Sequence, residues 1–350
     1  MKGLAFFAAA AISALLASPS TVVSGQSFCT KAPSTPGDRR VDKTKLTYAT
    51  YNTEFLFLVG YGNLNCPGSD CKWTNEDEAR RHIKQVAQTI RKLNSDIVQM
   101  TEVEDCAVLG AVIQELSLLG DNSYKPYIVK GTDSSTGQNI GLITRVDPVV
   151  DMARTDKSAS LPVSESKCPS TSKIAKSKSV SKNFFTTFRV QGFSKPITVV
   201  GAHFLAMPTD KKRCFEREGQ ATVIASVASD AVAAGNHVII SGDLNDWSRT
   251  SPDRNNNSPI SNVLGILERP GFLNVGTLAD PQSRYSQWFD RNKDCHYELT
   301  EVSSLDHIVV SQSLKSGVAN VTFHGSDLYQ ASCGGYNSDH YPISMTLRPV

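Results

Sequence analysis

The chain has 350 residues, of which 40% are hydrophobic, so it is long enough to bury a large core and to form one or two domains. Its formal charge at neutral pH is only +2, so no field of the whole protein attracts polyanions, and nucleic-acid contacts must come from local basic patches. Beyond the first residues, no stretch is apolar for long enough to span a bilayer.

Residues 1–25 are predicted to be a secretory signal peptide. Lys2 is followed by an apolar run up to Leu16 and then by small and polar residues, a pattern too short for a membrane anchor. Val23 and Gly25 occupy the −3 and −1 positions of the expected cleavage site. We therefore expect a secreted, extracellular protein.

Eight cysteines follow this leader, and an even number in a secreted chain predicts up to four disulfides. Cys66 and Cys71 are the easiest local pair. A zinc site is the alternative, but the chain has neither a CxxC pair nor an HxxxH spacing. Sequons at Asn256 and Asn320 are acceptors for glycans in a host that glycosylates.

The first half of the chain alternates strands and helices after an irregular lead-in at residues 26–44. Lys45–Asn52 alternates polar and apolar residues as a strand does. A helix starts at Thr74, because acidic residues are followed by an apolar face with 3.6-residue spacing up to Leu93. The next predicted elements are a strand at 96–103, a helix at 106–119 and strands at 124–129 and 139–146.

Residues 151–183 interrupt this alternation. The segment is rich in serine and contains Cys168 and six lysines. One interpretation is a solvated surface excursion tethered by Cys168, and the other is a basic flap over a polyanion. The lysines are Lys157, Lys167, Lys173, Lys176, Lys178 and Lys182.

The second half repeats the alternation of strands and helices. Strands are predicted at 184–190, 197–204, 237–243, 303–311, 318–323 and 341–347, and helices at 214–233 and 260–267. Two comparable halves predict an α/β fold, namely a four-layer α/β/β/α sandwich with two mixed sheets face to face. We expect residues 45–350 to form a single catalytic domain with an insertion at about 151–183.

Residues with catalytic or metal-binding chemistry recur where the predicted strands end. The segment SGDLNDW at 241–247, for example, follows an apolar run and offers several oxygen ligands in one turn. Each such residue by itself also has a structural explanation, such as a turn, a salt bridge or a core imidazole. Six successive strand ends with this character are hard to assign to chance. They supply Asn52, Glu54, Glu102, His203, Asp243, Asn245, Asp306, Asp339 and His340.

These segments resemble, in the same order, those of the endonuclease/exonuclease/phosphatase superfamily. Its members include pancreatic-type deoxyribonucleases, AP endonucleases, neutral sphingomyelinases and inositol polyphosphate 5-phosphatases. GDLN and SDHYP are specific to the family, whereas TEV and GAH are weak evidence by themselves. The resemblance covers neither the lead-in nor the lysine-rich insertion. The matching segments are YN-x-E (51–54), TEV (101–103), GAH (201–203), GDLN (242–245), LDHI (305–308) and SDHYP (338–342).

The resemblance implies a role for each matching residue. Glu102 would be the principal ligand of Mg²⁺ or Mn²⁺, which prefer oxygen ligands, and Ca²⁺ is a further candidate ion. Asp243 would orient or deprotonate the attacking water, and His340 would be a general base or would stabilise the phosphate. The other implied roles place Asn52, Glu54 and Asp339 beside the metal, Asn245 and His203 at the phosphate, and Asp306 as the partner of an imidazole.

Two departures from the family pattern concern the site. TEV stands where the family usually has QEV, and the essential glutamate is kept. Gln138 and Asn139 stand where the deoxyribonuclease branch has a glutamate that orients the last histidine. This favours Asp306 as the partner of His340, as in the AP-endonuclease branch, but a pairing with His203 stays open.

The favoured function is a secreted, metal-dependent phosphodiesterase that cleaves DNA or RNA by in-line attack of an activated water. Its expected partner is a nucleic acid substrate, and we expect a monomer. Nucleases also need basic contacts to flanking phosphates. The candidates are Lys211, Lys212, Arg213 and Arg217, although the first three also suit a solvated helix start.

Two other functions stay open. A sphingomyelinase-like phospholipid phosphodiesterase needs an exposed aromatic hairpin, for which Trp288–Phe289 is the one candidate. An inactive secreted binding protein would normally have lost one of the six segments, and none is lost. A 5-phosphatase is disfavoured, because VSSLDHI stands where that branch has P-x-W-C-D-R-I.

Overall fold

The structure is a computed structural model that describes residues 28–58, 66, 71–171, 174–269, 271–325 and 337–350. The predicted signal peptide, its cleavage site and Cys333 lie outside these residues. In chain order the helices and strands are β1 (Leu46–Leu56), α1 (Glu76–Leu93), β2 (Ile97–Val103), α2 (Cys106–Leu118), β3 (Lys125–Val129), β4 (Asn139–Thr144), β5 (Ser158–Ser160), β6 (Ser177–Ser179), β7 (Lys182–Phe188), β8 (Ile197–His203), α3 (Lys211–Ala233), β9 (His237–Asp243), α4 (Val263–Leu267), β10 (Phe272–Asn274), β11 (Gln287–Trp288), β12 (Val302–Ser303), β13 (Asp306–Ser311), β14 (Val318–Phe323) and β15 (Ile343–Leu347).

Two mixed sheets pack face to face. The first has the strand order β14-β15-β1-β2-β4-β3 and the second has the order β10-β13-β9-β8-β7. The pairs β1/β2 and β8/β9 are parallel, and the other neighbours are antiparallel. One apolar cluster between the sheets contains Tyr48 and Leu142 from the first sheet and Phe184 and Val199 from the second.

Helices cover the outer face of each sheet. Val86 of α1 packs in one cluster with Val98 of the first sheet, and Ile224 of α3 packs in another with Val200 of the second. The layers therefore follow the order helix, sheet, sheet, helix, which confirms the predicted α/β/β/α sandwich.

Capping residues explain where the two long helices begin. Asn75 accepts a hydrogen bond from the backbone of Glu78, so α1 begins after Asn75. Asp210 accepts hydrogen bonds from the backbone of Lys212 and Arg213, so α3 begins at Lys211, three residues before the predicted start.

The serine- and lysine-rich insertion packs against α3. Its strands β5 and β6 pair with each other, and Lys157 and Lys178 form ion pairs with Asp230 and Glu216 of α3. The disulfide Cys168–Cys214 ties the insertion to the first turn of α3. The strands β5 and β6 of the insertion therefore form a hairpin that is tethered to α3.

Disulfides join distant parts of the chain as well as neighbours. Those with both cysteines among the described residues are Cys29–Cys106, Cys66–Cys71 and Cys168–Cys214. Cys295 is also disulfide-bonded. The predicted local pair Cys66–Cys71 is thus confirmed. Among the described residues, no helix combines the length and the apolar composition needed to cross a bilayer.

Candidate active site

The polar strand ends of both sheets meet at one edge of the sandwich. Asp243 and Asp306 lie directly opposite each other in the pairing of β9 with β13, and His203 ends the neighbouring strand β8. In the first sheet, the pairing of β1 with β2 and of β2 with β4 becomes irregular where Glu54 and Glu102 stand. Both glutamates have left-handed backbone conformations, which are uncommon outside glycine and often mark functional sites.

Asn52 connects the carboxylates of the two sheets. Its Nδ2 donates to Glu102 Oε1 at 3.1 Å and to Asp243 Oδ2 at 2.9 Å. His203 Nε2 lies 3.9 Å from Glu102 Oε1 and 3.6 Å from Asp243 Oδ2. Two carboxylates, an amide and an imidazole therefore converge, although they come from four separate strands.

His340 and Asp306 form a buried pair beside this group. His340 Nδ1 lies 2.7 Å from Asp306 Oδ2, which also accepts a hydrogen bond from Ser286 Oγ at 2.8 Å. This arrangement settles the partner of Asp306, which is His340 and not His203. The pairing occupies Nδ1 of the ring, and Nε2 lies 4.0 Å from Asp339 Oδ1.

Glu54 and Asp339 form an outer acidic pair. Glu54 Oε2 accepts the backbone N–H of Asp339 at 2.9 Å and lies 3.3 Å from Lys72 Nζ. Asp339 Oδ2 accepts a hydrogen bond from Gln287 Nε2 at 3.0 Å. Glu54 thus fixes the backbone that carries both Asp339 and His340.

Burial and mutual repulsion perturb the acids of the site. Burial, reinforced by the charge of Asp306, raises the pKa of Asp243 to about 7. Burial and the charge of Asp339 raise the pKa of Glu54 to about 8, and burial likewise raises the pKa of Glu102. These side chains are therefore held together at an electrostatic cost that a bound cation would relieve.

The two histidines are shifted in opposite directions. Burial lowers the pKa of His203 well below its ordinary value, and the nearby charges of Lys182 and His340 lower it further. Burial also opposes the charging of His340, but the charges of Asp306 and Asp339 and the hydrogen bond to Asp306 outweigh it and raise its pKa well above the ordinary value.

The donor set fits a hard divalent cation. One ligand atom each from Glu102, His203 and Asp243 lie within 4.8 Å of one another, and the same holds for Asp243, Asp306 and His340. Buried carboxylate oxygens of this density are the ligands that Mg²⁺ and Mn²⁺ prefer. Oδ1 of Asp306 is buried and has no hydrogen-bond partner among the described residues, which leaves an acceptor of the site unused.

Comparisons with known proteins find this architecture in solved structures. No protein-family profile and no curated protein sequence matches the chain. TDP2 from C. elegans is 15% identical, with 87% of this chain and 75% of that chain covered and a TM-score of 0.51. An endonuclease/exonuclease/phosphatase from Bacteroides vulgatus is 16% identical over 88% of this chain and 100% of that chain, with a TM-score of 0.52. An AP endonuclease from Archaeoglobus fulgidus is 12% identical over 87% and 100%, also with a TM-score of 0.52.

This chain has the endonuclease/exonuclease/phosphatase fold. The resemblance inferred from six short segments is thereby confirmed at the level of the fold. Each of the six segments supplies at least one side chain to the candidate active site.

Asn245 supports the site through its backbone. Its N–H donates to Asp243 Oδ1 at 2.9 Å, and its side chain donates to the carbonyl of Phe204 at 3.2 Å. The residue has a left-handed conformation with φ of +48°, which asparagine tolerates better than most residues. Its amide oxygen remains the group that we propose for the phosphate.

One predicted substrate contact is wrong. Arg217 is completely buried, because its guanidinium donates to the carbonyls of Met207 and Pro208 at 2.8 and 2.7 Å and lies 3.3 Å from Asp246. A side chain with these internal partners fastens a loop and does not reach a substrate. Lys211 and Lys212 are exposed at the start of α3, and Arg213 is half-buried with a hydrogen bond to the carbonyl of Ala206.

Several residues that support the site carry no clear signal in the sequence. Gln138 Nε2 donates to Glu102 Oε2 at 2.7 Å, and Lys182 Nζ donates to Gln138 Oε1 at 3.1 Å. In the sequence, Gln138 stands out only as a departure from the family pattern, and Lys182 is one of six lysines with no distinguishing spacing. Ser286 and Gln287 belong to no recognisable motif.

Proposed function

We propose that this protein is a divalent-metal-dependent phosphodiester hydrolase and that its substrate is a nucleic acid. The observation that carries the proposal is the convergence of Glu102, Asp243 and the His340–Asp306 pair at one edge of the two sheets. The name of one solved structure with this fold, an AP endonuclease, accords with nucleic acid chemistry.

Glu102 and Asp243 are the side chains that we propose as ligands of Mg²⁺ or Mn²⁺, with Asp339 and Glu54 beside them. When bound, such an ion would neutralise charge on the phosphoryl and leaving oxygens. Asn52 donates to both inner carboxylates and so holds the two sheets at a fixed spacing across the site. This keeps the oxygens in place before the substrate arrives.

His340 is proposed to move a proton at its Nε2 atom. Asp306 binds the Nδ1 side of the ring, so the tautomer and the orientation of the imidazole are fixed. A positioned group of this kind contributes about 10²–10⁴-fold to a hydrolysis rate. Asp243 and His203, whose side chains lie 3.6 Å apart, are proposed to orient the attacking water and a phosphate oxygen.

The structure weakens the phospholipid alternative. Trp288 is only 7% exposed, and its indole N–H is hydrogen-bonded to Glu301, so it does not form an exposed aromatic tip. Phe289 is exposed, as are Tyr297 and Leu299, but the expected aromatic tip of Trp288 and Phe289 together is not formed. The inactive alternative is disfavoured because no residue of the proposed site is missing.

We also infer that the protein is secreted. The predicted leader and the disulfides support this, since Cys29–Cys106 and Cys168–Cys214 join residues 77 and 46 positions apart and need an oxidising compartment. Recovery of the protein from the culture medium, with an amino terminus near residue 26, would agree with this inference.

A substrate panel tests the proposed activity. We expect the purified protein to cleave plasmid DNA, single-stranded DNA or RNA with Mg²⁺, and to stop when EDTA is added. Glu102→Ala and His340→Ala should each lower the rate by at least about 10²-fold. Asp77→Ala, which changes an exposed acid in the first turn of α1, serves as the matched control. Hydrolysis of sphingomyelin without cleavage of any nucleic acid would refute the proposal.

A further inference from the structure

A chain of polar side chains crosses from one sheet to the other beside the carboxylates. Lys182 begins β7 and lies opposite His203 in the pairing of β7 with β8. Its ammonium donates to Gln138 Oε1 at 3.1 Å, and Gln138 Nε2 donates to Glu102 Oε2 at 2.7 Å. Gln138 stands just before β4, so a residue of the second sheet acts on an acid of the first.

The chemistry of the three groups fixes the direction of both hydrogen bonds. An ammonium group can only donate, so the oxygen of the Gln138 amide must face Lys182. Its NH₂ group is thereby turned toward Glu102, whose carboxylate can only accept when it is ionised. Without Lys182, only the carboxylate of Glu102 would favour this orientation of the amide over the one rotated by half a turn.

The orientation of Glu102 depends on these donors. Its Oε2 atom receives the N–H of Phe55 at 3.0 Å in addition to Gln138. Oε1 is left on the side of Asn52 and His203, which is the side of Asp243. The carboxylate is therefore held with one oxygen toward the supporting residues and the other toward the proposed ion.

The contacts from Lys182 through Gln138 to Glu102 are shielded from water and anchored at Lys182. Gln138 is 4% exposed, and the side chain of Lys182 is 12% exposed, so competition from water is small. Lys182 also lies 3.5 Å from Asp133, whose carboxylate accepts hydrogen bonds from its own loop at Ser135 and Thr136. Because Asp133 and Gln138 both hold it, the ammonium of Lys182 has little freedom to move away from the amide of Gln138.

We propose that Lys182 is a positioning residue, which acts through Gln138 to hold Glu102 in the orientation that binds the divalent cation. The inference rests on the proposed function, because it requires Glu102 to be a ligand of that ion. Outer partners that orient a ligand typically change metal affinity by about 10–100-fold when they are removed.

If Lys182 acted only through its charge, its loss would change the Mg²⁺ affinity in the opposite direction. A lysine near a cation site repels the cation, so loss of its charge alone would tighten Mg²⁺ binding. Loss of a positioning contact would weaken it. The sign of the change in Mg²⁺ affinity therefore separates the two roles.

Isothermal titration of the metal-free protein with Mg²⁺ measures this sign. We expect Lys182→Met to weaken Mg²⁺ binding by about 10-fold or more. Lys178→Met is the matched control, since Lys178 pairs with Glu216 of α3, and it should leave the affinity unchanged. Unchanged or tighter binding by Lys182→Met would overturn the inference.

Two further variants identify Gln138 as the intermediary. Gln138→Leu removes the contact to Glu102 itself and should weaken Mg²⁺ binding at least as much as Lys182→Met does. The double variant should bind no more weakly than Gln138→Leu alone, because Lys182 acts only through Gln138. Additive losses of affinity in the double variant would overturn the inference. Lys182→Arg keeps a hydrogen-bond donor and should therefore retain part of the Mg²⁺ affinity. Melting temperatures without metal establish that each variant is folded.

The same titration distinguishes the failure of this inference from that of the proposed function. Absence of Mg²⁺ and Mn²⁺ binding by the unmodified protein would refute the metal-dependent hydrolase and the positioning role together. Normal binding by the unmodified protein, with normal binding by Lys182→Met, would refute the positioning role alone.

Discussion

At the scale of single residues, burial restricts the carboxylate of Asp306 to a few defined hydrogen-bond partners. Its carboxylate is inaccessible to solvent, and its Oδ2 atom is shared between Ser286 and His340. The acid therefore determines which nitrogen of His340 would face the proposed substrate.

Asp306→Asn should abolish most of the activity with little change in fold. The amide keeps the shape but can present an N–H to Nδ1, which stabilises the wrong tautomer of His340. We expect kcat to fall by at least about 10²-fold with a smaller change in KM. Steady-state kinetics check this against Asp77→Asn, and an unchanged kcat would remove His340 from the proposed chemistry.

For Arg217 we predict an effect of substitution on stability and not on catalysis. Breaking a buried ion pair leaves the partner charge uncompensated, which costs roughly 3–5 kcal/mol. Arg217→Met should therefore lower the free energy of unfolding by about that amount, because Asp246 is completely buried.

The exposed Lys212 is the comparison for Arg217. Lys212→Met should leave stability nearly unchanged and weaken substrate binding most at low salt, where charge contacts to phosphates are strongest. Urea denaturation and KM measurements distinguish the two variants, and an equal loss of stability in both would contradict the assignment.

At the scale of elements, the specific segment GDLN owes its glycine to strand packing. Gly242 has φ of +134°, and a Cβ atom there would lie 1.9 Å from the carbonyl oxygen of Ala202 in the neighbouring strand. The pairing of β8 with β9 next to Asp243 is therefore possible only with glycine at this position.

Gly242→Ala should destabilise the protein and disturb the site together. A forbidden backbone conformation costs about 1–3 kcal/mol, and the overlap with β8 adds to this. Gly235→Ala is the control, because Gly235 also has a positive φ but no atom lies within 4 Å of the added Cβ. Thermal unfolding should show a much larger loss for Gly242→Ala, and equal losses would contradict the overlap.

At the scale of the whole molecule, the two sheets bring like charges together. Glu102 belongs to the first sheet and Asp243 to the second, and Asn52 lies between them. Folding therefore concentrates acidic groups at the edge where the layers meet, and a cation bound at this edge would stabilise the folded state.

Addition of Mg²⁺ should raise the melting temperature of the metal-free protein. Binding to the folded state alone stabilises it by about 2.7 kcal/mol at a concentration 100 times the dissociation constant. Glu102→Gln should lose most of this shift and should itself be more stable without metal, since one buried charge is removed. Scanning calorimetry with and without EDTA checks both effects, and an equal Mg²⁺ shift in Glu102→Gln would exclude Glu102 as a ligand.

The sequence by itself determined the features that depend on local patterns. The apolar face of α1, the alternating strands and the pair Cys66–Cys71 follow from residues close together in the chain. The candidate catalytic residues were also visible, because strand ends have recognisable neighbours even when their partners are unknown.

Only the tertiary structure decided which side chains meet. Asn52 and Asp243 are 191 positions apart, and Lys182 and Gln138 are 44 positions apart, so no local spacing reveals their contacts. The same reason explains why the sequence makes Arg217 a candidate for a phosphate contact, since the carbonyls and the acid that bind it become neighbours only after folding. The direction of a long side chain is set by the packing of both sheets and their helices, which is a property of the folded chain as a whole.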